Sequence, residues 1–432
     1  MIANWLNTRL GDITSITCYK HFILEEYTDD DAVYGLGIDT WRRTQGWQLS
    51  QELRSSIKVN DAVSFLVGGF YMKTNYDHFM DLRLQFAAPG LRQLNPQNQD
   101  NWSESLFAQS FINLTDKFRF QAGIRFTEEQ TKMDAGVVNF INLTGPAVFY
   151  GDTPLGGFSA SGEKKWNRLG WKLGLDYNLV EDTLLYGYYA CGFKSDGFVG
   201  RLGTPNDLGP FNPETVDTVE LGVKSDLADR RLRVNLATFF TIYKDMQVEE
   251  NYILPDGKTI GTSIFNAAKS NIKVAELELT ALPTSGLTLT GSVAYLDAKY
   301  KSFQFFNPGT GGFLDLSSYS LQNAPKVSAS AGATYKFKTG PGNTTANVLY
   351  TYTASKYLQG LTDGPNVTIQ PTHYVHANLS WSPNANKWSI ELWARNLLDK
   401  HYIEAVTSNP GLFDQAAYSA PREWGVSYKY NW

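Results

Sequence analysis

Arg42 and Arg43 stand in tandem behind Trp41 in a polar stretch near the start of the chain. Paired guanidinium donors meet carboxylate or phosphate oxygens two at a time, so Trp41-Arg42-Arg43 could grip an anion, and plain solvation explains the trio as well. Tyr189, Phe198 and Arg201 flank the entrance to another long polar stretch and form a second set of possible ligand contacts. Asp29-Asp30-Asp31 offers three carboxylates but lacks the spacing and closing Glu of a calcium loop, so no metal is assigned there. His373 and His376 lie three apart on what reads as a strand, so they point to opposite faces and cannot share a metal. Ser195 beside Asp196 has no His nearby, and no nucleophile elbow or phosphate loop occurs. Neither catalysis nor a cofactor is expected; these residues point to binding.

The elements that carry them are strands. The last residues set the pattern: Trp424, Val426, Tyr428, Tyr430 and Trp432 alternate with Glu423, Gly425, Ser427, Lys429 and Asn431. Phe118, Phe120, Ala122, Ile124 and Phe126 likewise oppose Arg119, Gln121, Gly123, Arg125 and Thr127. Trp171, Leu173, Leu175 and Tyr177 oppose Lys172, Gly174, Asp176 and Asn178, and the rhythm returns at Leu232–Tyr243 and Leu287–Tyr295. A half-buried strand of a soluble protein could alternate in the same way. Period two over about ten residues, with aromatics carried to the chain terminus, is instead expected of a membrane-crossing β-strand with one face to hydrocarbon and aromatics at headgroup level. The 432 residues are 42% hydrophobic and 14% aromatic, yet mean hydropathy is only -0.30. The apolar face is averaged away, and no apolar run approaches the roughly 18 residues of a spanning helix.

Two cysteines and five histidines argue against a disulfide scaffold, a zinc site or haem, and Cys18 and Cys191 read as incidental. A net charge of -5 with no basic stripe makes nucleic acid an unsuitable partner. Short turns are expected at 59–62, 115–117, 180–182, 225–230, 283–286, 338–343 and 382–387, where Gly, Pro, Asn and Asp cluster. Long polar connections are expected at 20–45, 75–105, 133–165, 196–213, 251–263, 302–320, 360–371 and 400–421. Short and long connections alternate as in an antiparallel up-and-down barrel, with about 17 strands. An odd count leaves both end strands running the same way, so two sheet edges are expected to be bare. The start shows no basic region followed by an apolar one, so no signal peptide is read there, and an exported barrel would need one upstream.

Several stretches resemble the C-terminal barrel of TonB-dependent outer-membrane receptors. The most specific is Ala394-Arg395-Asn396-Leu397-Leu398-Asp399-Lys400-His401-Tyr402, similar to the family's "NLFDKxY" element, followed by Pro421-Arg422 and the terminal aromatic strand. Gly192-Phe193-Lys194-Ser195-Asp196-Gly197-Phe198 is similar to "GFKSGGF". Asn212-Pro213-Glu214-Thr215-Val216, Glu220-Leu221-Gly222-Val223-Lys224, Asn266-Ala267-Ala268-Lys269 and Asn323-Ala324-Pro325 follow in the family's order.

The resemblance implies an all-β transmembrane barrel over residues 1–432 in the outer membrane of a Gram-negative cell, with about 17 strands of a usual 22. The family's plug domain, TonB box and first strands are absent from this sequence. It also implies active import of a scarce ligand, ferric siderophore by default, with the TonB system engaged only through the missing plug. Tyr428, Tyr430 and Trp432 are the implied signal for the barrel-assembly machinery, and lipid and lipopolysaccharide are the implied surroundings. Within the motifs, Asn396 and Asp399 are expected to satisfy loop backbone groups and Tyr402 to join the interface girdle. Without the plug the same chain would be a passive porin-like channel or a receptor fragment without activity. An outer-membrane enzyme would need a Ser/His/Asp or Asp/His rim cluster, which does not assemble.

Overall fold

The computed structural model describes residues 1–30, 37–85, 90–141, 153–253, 260–307, 312–358, 368–409 and 413–431. Among them the first strands are β1 (Ile2–Thr8), β2 (Gly11–Asp29), β3 (Ile38–Lys58), β4 (Val63–Leu84), β5 (Leu91–Asn113), β6 (Phe118–Ile141) and β7 (Thr153–Val180). Next come β8 (Thr183–Lys194), β9 (Glu214–Leu227), β10 (Leu232–Ile253), β11 (Ile260–Thr284), β12 (Leu287–Asn307), β13 (Gly312–Asp315), β14 (Val327–Thr339) and β15 (Gly342–Thr353). The remainder are β16 (Lys356–Tyr357), β17 (Thr368–Ile369), β18 (Thr372–Pro383), β19 (Trp388–Arg395), β20 (Ile403–Asn409), β21 (Phe413–Tyr418) and β22 (Glu423–Tyr430).

The main sheet holds eighteen strands. One of them, the four-residue β13, pairs only with the outer end of β12. The others form one antiparallel wall in chain order, as an up-and-down meander requires. They number seventeen, because β13 and the two small hairpins β16–β17 and β20–β21 lie outside the wall. Among the described residues no pairing joins β1 to β22, so these two strands are the sheet's edges. Among the described residues no helix is long and apolar enough to cross a membrane; the crossing is made by strands.

The wall has two storeys, and β6 displays both. Near its inner end Phe118, Phe120, Ala122, Ile124 and Phe126 face one way and Arg119, Gln121 and Arg125 the other. The pairing with β5 runs unshifted from Arg119 to Ala135, so each face can be followed upward. Met133, Ala135 and Val137, on the arginine side, are buried beneath a connection that folds against them. The polar side is therefore the interior, and the apolar side looks out. Outward Leu106 and Trp424 expose 72% and 76% of their surface, the condition of side chains whose solvent is lipid. Above Thr127 the polarity inverts, with Glu128, Gln130, Lys132 and Asp134 outward and apolar side chains inward. Water has replaced hydrocarbon outside.

This inversion corrects several expected long connections. β6 is 24 residues, roughly 80 Å at about 3.3 Å per residue, whereas crossing the hydrocarbon takes about 9–11 residues. Most of the stretches expected as loops at 20–45, 75–105 and 133–165 are the upper halves of tall hairpins. Trp41, Arg42 and Arg43 accordingly lie within β3 rather than in a loop. The short turns fall where Gly, Asn and Asp predicted them; Ala228, Asp229 and Arg230 take left-handed backbone angles at the β9–β10 turn, and Asn386 does so at β18–β19.

Candidate functional site

The connection from β8 to β9, residues 195–213, turns into the interior instead of rising into solvent. Phe198, Val199, Leu202 and Leu208 are buried, and three of them pack with Met133, Ala135, Val137 and Trp166 on the inner faces of β6 and β7. Phe198 meets Trp166 edge to face with centroids 6.2 Å apart. The approach is close enough that a Cβ on Gly162 would lie 2.4 Å from the Phe198 ring. A single 3-10 turn, Pro205–Leu208, reverses the chain, and the Asp207 carboxylate accepts the Thr204 and Gly203 amides at 2.6 and 3.0 Å.

Hydrogen bonds pin the ends of this insert to the flanking strands. Ser195 Oγ donates to Glu129 of β6 at 2.8 Å. Gln247 Nε2 of β10 donates to the carbonyls of Ser195 and Asn212 at 2.8 and 3.0 Å. Asn212 N donates to Asn266 Oδ1, and Asn266 Nδ2 returns to the Asn212 carbonyl, both at 2.6 Å. Lys194 pairs with buried Glu214 at 2.9 Å. Three of the motifs read from the sequence thus meet in space, and their polar residues act as wiring for the in-folded segment. The Asn396 motif does the same at the far end of the wall: its amide donates to the Lys400 and Ala420 carbonyls at 2.7 and 3.0 Å, and Asp399 accepts the Arg422 amide at 2.9 Å.

Arg201 sits at the middle of the insert, its carbonyl accepting the Thr262 amide of β11 at 3.0 Å. Its Nε is buried with no hydrogen-bond partner. Burial, and then the charge of Arg42 on the inner face of β3, lower its proton affinity, while Asp30 and Glu249 raise it. The guanidinium stays charged at neutral pH, because its ordinary value is so high. Arg42 and Arg201, read from the sequence as members of separate sets, are therefore electrostatic neighbours in the outer interior. Trp166 Nε1, Arg168 Nε and Asp196 Oδ2 are further buried polar atoms without partners around the insert. Burial, reinforced by the nearby Glu129 charge, pushes the Asp196 carboxyl up to about 7.

The other expected site residues are dispersed. Trp41 and Arg43 look outward, Trp41 against Phe79 with centroids 5.8 Å apart and Arg43 towards Glu25 at 3.4 Å. Tyr189 lies on the outward apolar face, 4.9 Å from the Trp171 ring, with its hydroxyl donating to Asp217 at 2.9 Å. Tyr428 and Tyr430 are exposed on edge strand β22. Trp432 and Asp31 lie outside the described residues. His373 on β18 is bonded to the Tyr350 hydroxyl at 2.7 Å, and no metal-ligand cluster occurs among the described residues. Glu129, Trp166, Gln247 and Asn266 were missed as parts of the site. The usable signal was Phe198, Val199, Leu202 and Leu208, four large apolar residues in a stretch otherwise composed like a solvated loop.

Lower in the wall the interior carries a polar network, with inward Arg119 and Arg125 lying over the rings of Phe111, Phe70 and Phe107. Arg119 Nε donates to Asp176 at 2.8 Å, Gln121 shares the same carboxylate at 2.5 Å, and Tyr186 and Tyr188 both donate to Glu220. An apolar outer band, a largely polar interior and an outer storey narrowed by an in-folded segment define an outer-membrane β-barrel. The chain belongs to the TonB-dependent receptors: the family's β-barrel model, described as "TonB dependent receptor-like, beta-barrel", matches residues 4–397.

The pesticin receptor of Yersinia pestis is 26% identical over 272 residues, covering 59% of this chain and 36% of that protein. The metal-pseudopaline receptor CntO of Pseudomonas aeruginosa is 24% identical over 307 residues, covering 71% of this chain and 38% of its own length. Among solved structures, the ferric yersiniabactin uptake receptor FyuA from Yersinia pestis superposes with a TM-score of 0.75 at 17% identity, over 96% of this chain and 58% of FyuA. The siderophore receptor PiuA from Acinetobacter baumannii gives 0.70 at 18% identity, over 98% of this chain and 62% of PiuA. These superpositions establish the fold. The chain spans little more than a third of the curated relatives it matches, and it is an outer-membrane β-barrel domain whose relatives are receptors and transporters.

Proposed function

We propose that this domain is the barrel of an energised outer-membrane importer and that its ligand is an anionic metal chelate of the ferric-siderophore class. The observation that carries this is Arg201 Nε, buried in the outer interior without an acceptor, with the charge of inward Arg42 acting on it. Asp30 and Glu249 lie near enough to act on Arg201, but neither supplies its Nε an acceptor, so an occupant that brings paired oxygens would complete it. In this reading the in-folded segment narrows the outer mouth and presents Arg201 to the ligand, and the polar lower interior forms the path. The plug and the TonB contact lie outside residues 1–432. Tyr428, Tyr430 and Trp432 serve barrel assembly, and the domain has no catalytic role.

The test is uptake of radiolabelled iron by cells that lack their own siderophore receptors and produce the receptor carrying this barrel. Uptake of an anionic, carboxylate-bearing ferric chelate should require TonB. It should fall about tenfold or more in the Arg42→Gln/Arg201→Gln variant, since each charge-assisted bond is worth roughly 1.5–3 kcal/mol. Uptake that persists without TonB and admits unrelated small solutes would instead establish a passive channel.

A further inference from the structure

The inner face of β9 to β12 changes character with height. Glu220 looks inward, and the strand register carries that face across to Phe239, Val274 and Leu296. The next inward row above holds Thr218, Thr241, Ile272 and Ala298, and the one above that begins with Val216 and Tyr243. Below Glu220 the same face turns to Glu276, then to Lys224, Asn235 and Glu278, the charges expected of a water-filled interior. Val216, Ile272, Leu296 and Ala298 are half-buried, and none of them joins the core that Val248, Ala268, Phe303 and Leu316 form nearby.

These four side chains wall a cleft of about 520 Å3, completed by Tyr243 and by Leu321 from the connection between β13 and β14. Its upper edge is polar: the Lys194–Glu214 pair lines it, as does Gln247, whose amide holds the carbonyls at both ends of the in-folded segment. An apolar wall with a few polar groups at its edge, at this volume, is the composition of a small-molecule site. Aliphatic surface left facing water favours an occupant that covers it. The cleft is separate from Arg201, because Thr262, which bonds Arg201, and Ile272 lie about 33 Å apart along β11. We propose that this cleft receives an aliphatic arm of the transported chelate, as a second station inward of the in-folded segment, while the chelate's polar part stays at Gln247 and the Lys194–Glu214 pair. The inference rests on the importer reading above and adds the chemistry of the ligand's other half: the chelate is amphiphilic.

The receptor carrying this barrel, held in lipid nanodiscs, would be titrated with a radiolabelled carboxylate-bearing ferric chelate carrying either a hexanoyl or an acetyl arm, with empty nanodiscs correcting for partition into lipid. The hexanoyl form should bind about tenfold or more tightly, since burial of two of its extra methylenes at about a factor of four each is enough. Ile272→Asn/Leu296→Asn should bring the two forms within about twofold of each other by weakening the hexanoyl one. Ile272→Leu/Leu296→Ile, which keeps the wall aliphatic, should retain the preference, and so should Leu349→Asn, on the inner face of β15 outside the cleft. Equal binding of both arms by the unaltered receptor, or an undiminished preference in the Asn variant, would overturn the inference and leave the importer reading standing. Absence of TonB-dependent uptake of either chelate would overturn that reading while the binding ratio still decides the cleft, and binding of neither would overturn both.

Discussion

The lower and upper storeys of the wall are built from the same strands but obey opposite rules. On β6, Phe120, Ala122 and Ile124 look out below while Glu128, Gln130 and Lys132 look out above, with no slip in register between them. Below, the interior is largely polar and the exterior is lipid; above, the exterior is water, and the interior holds Met133, Ala135 and Val137 under an in-folded segment. Strand pairing does not set which face is apolar; the solvent on each side does. The upper storey thereby gains a small conventional core, and that core is what holds Arg201 in place.

The largest effect should come from removing that core's anchor. Phe198→Ala deletes a buried ring packed on Trp166 and should cost about 3–5 kcal/mol of the insert's packing. Limited proteolysis should then cut within residues 195–213 while the wall stays intact. Next, Leu173→Arg in the lipid-facing band should destabilise the barrel by about 2–4 kcal/mol. Ser159→Arg, at an exposed outward position on the upper storey of β7, should stay within about 0.5 kcal/mol. Urea unfolding in lipid vesicles measures both, and equal costs would break the distinction between storeys.

The smallest effect is one of pH. Asp196 is held up at about 7 by burial and by the Glu129 charge, against an ordinary 3.8 once released into solvent. The packed insert binds that proton more tightly than the released one, so its stability is full below 3.8 and is lost as pH rises through about 7. Proteolytic cutting of the insert should increase between pH 5 and pH 8, and Asp196→Asn should flatten the dependence.

The lower storey was legible in the sequence because lipid imposes a strict period of two over runs such as Phe118–Phe126, ended by turn residues such as Asn60, Asp182 and Gly286. The ordered motifs were legible as well, and the structure supplies their reason in the Asn212–Asn266 exchange. The upper storey was not. Its alternation is inverted and interrupted by Pro96 and Gly136, which resemble loop punctuation although both lie within strands. The in-folding of 195–213 was hidden because Gly200, Gly203 and Gly209 break its apolar residues out of any period. Arg42 and Arg201 could be named from the sequence, but their proximity depends on that in-folding, which no local pattern encodes.

The most direct test of the two-storey wall is a spin-label scan along the outward positions of β6. Single cysteines at Phe120, Ala122, Ile124, Phe126, Glu128, Gln130 and Lys132 would be introduced after replacing Cys18 and Cys191 with serine, and each label probed with oxygen and a water-soluble nickel chelate in a bilayer. The wall described here predicts oxygen-dominated accessibility through Phe126, crossing to nickel-dominated accessibility from Glu128 onward. Accessibility to oxygen at all seven positions, or no crossing between Phe126 and Glu128, would contradict it.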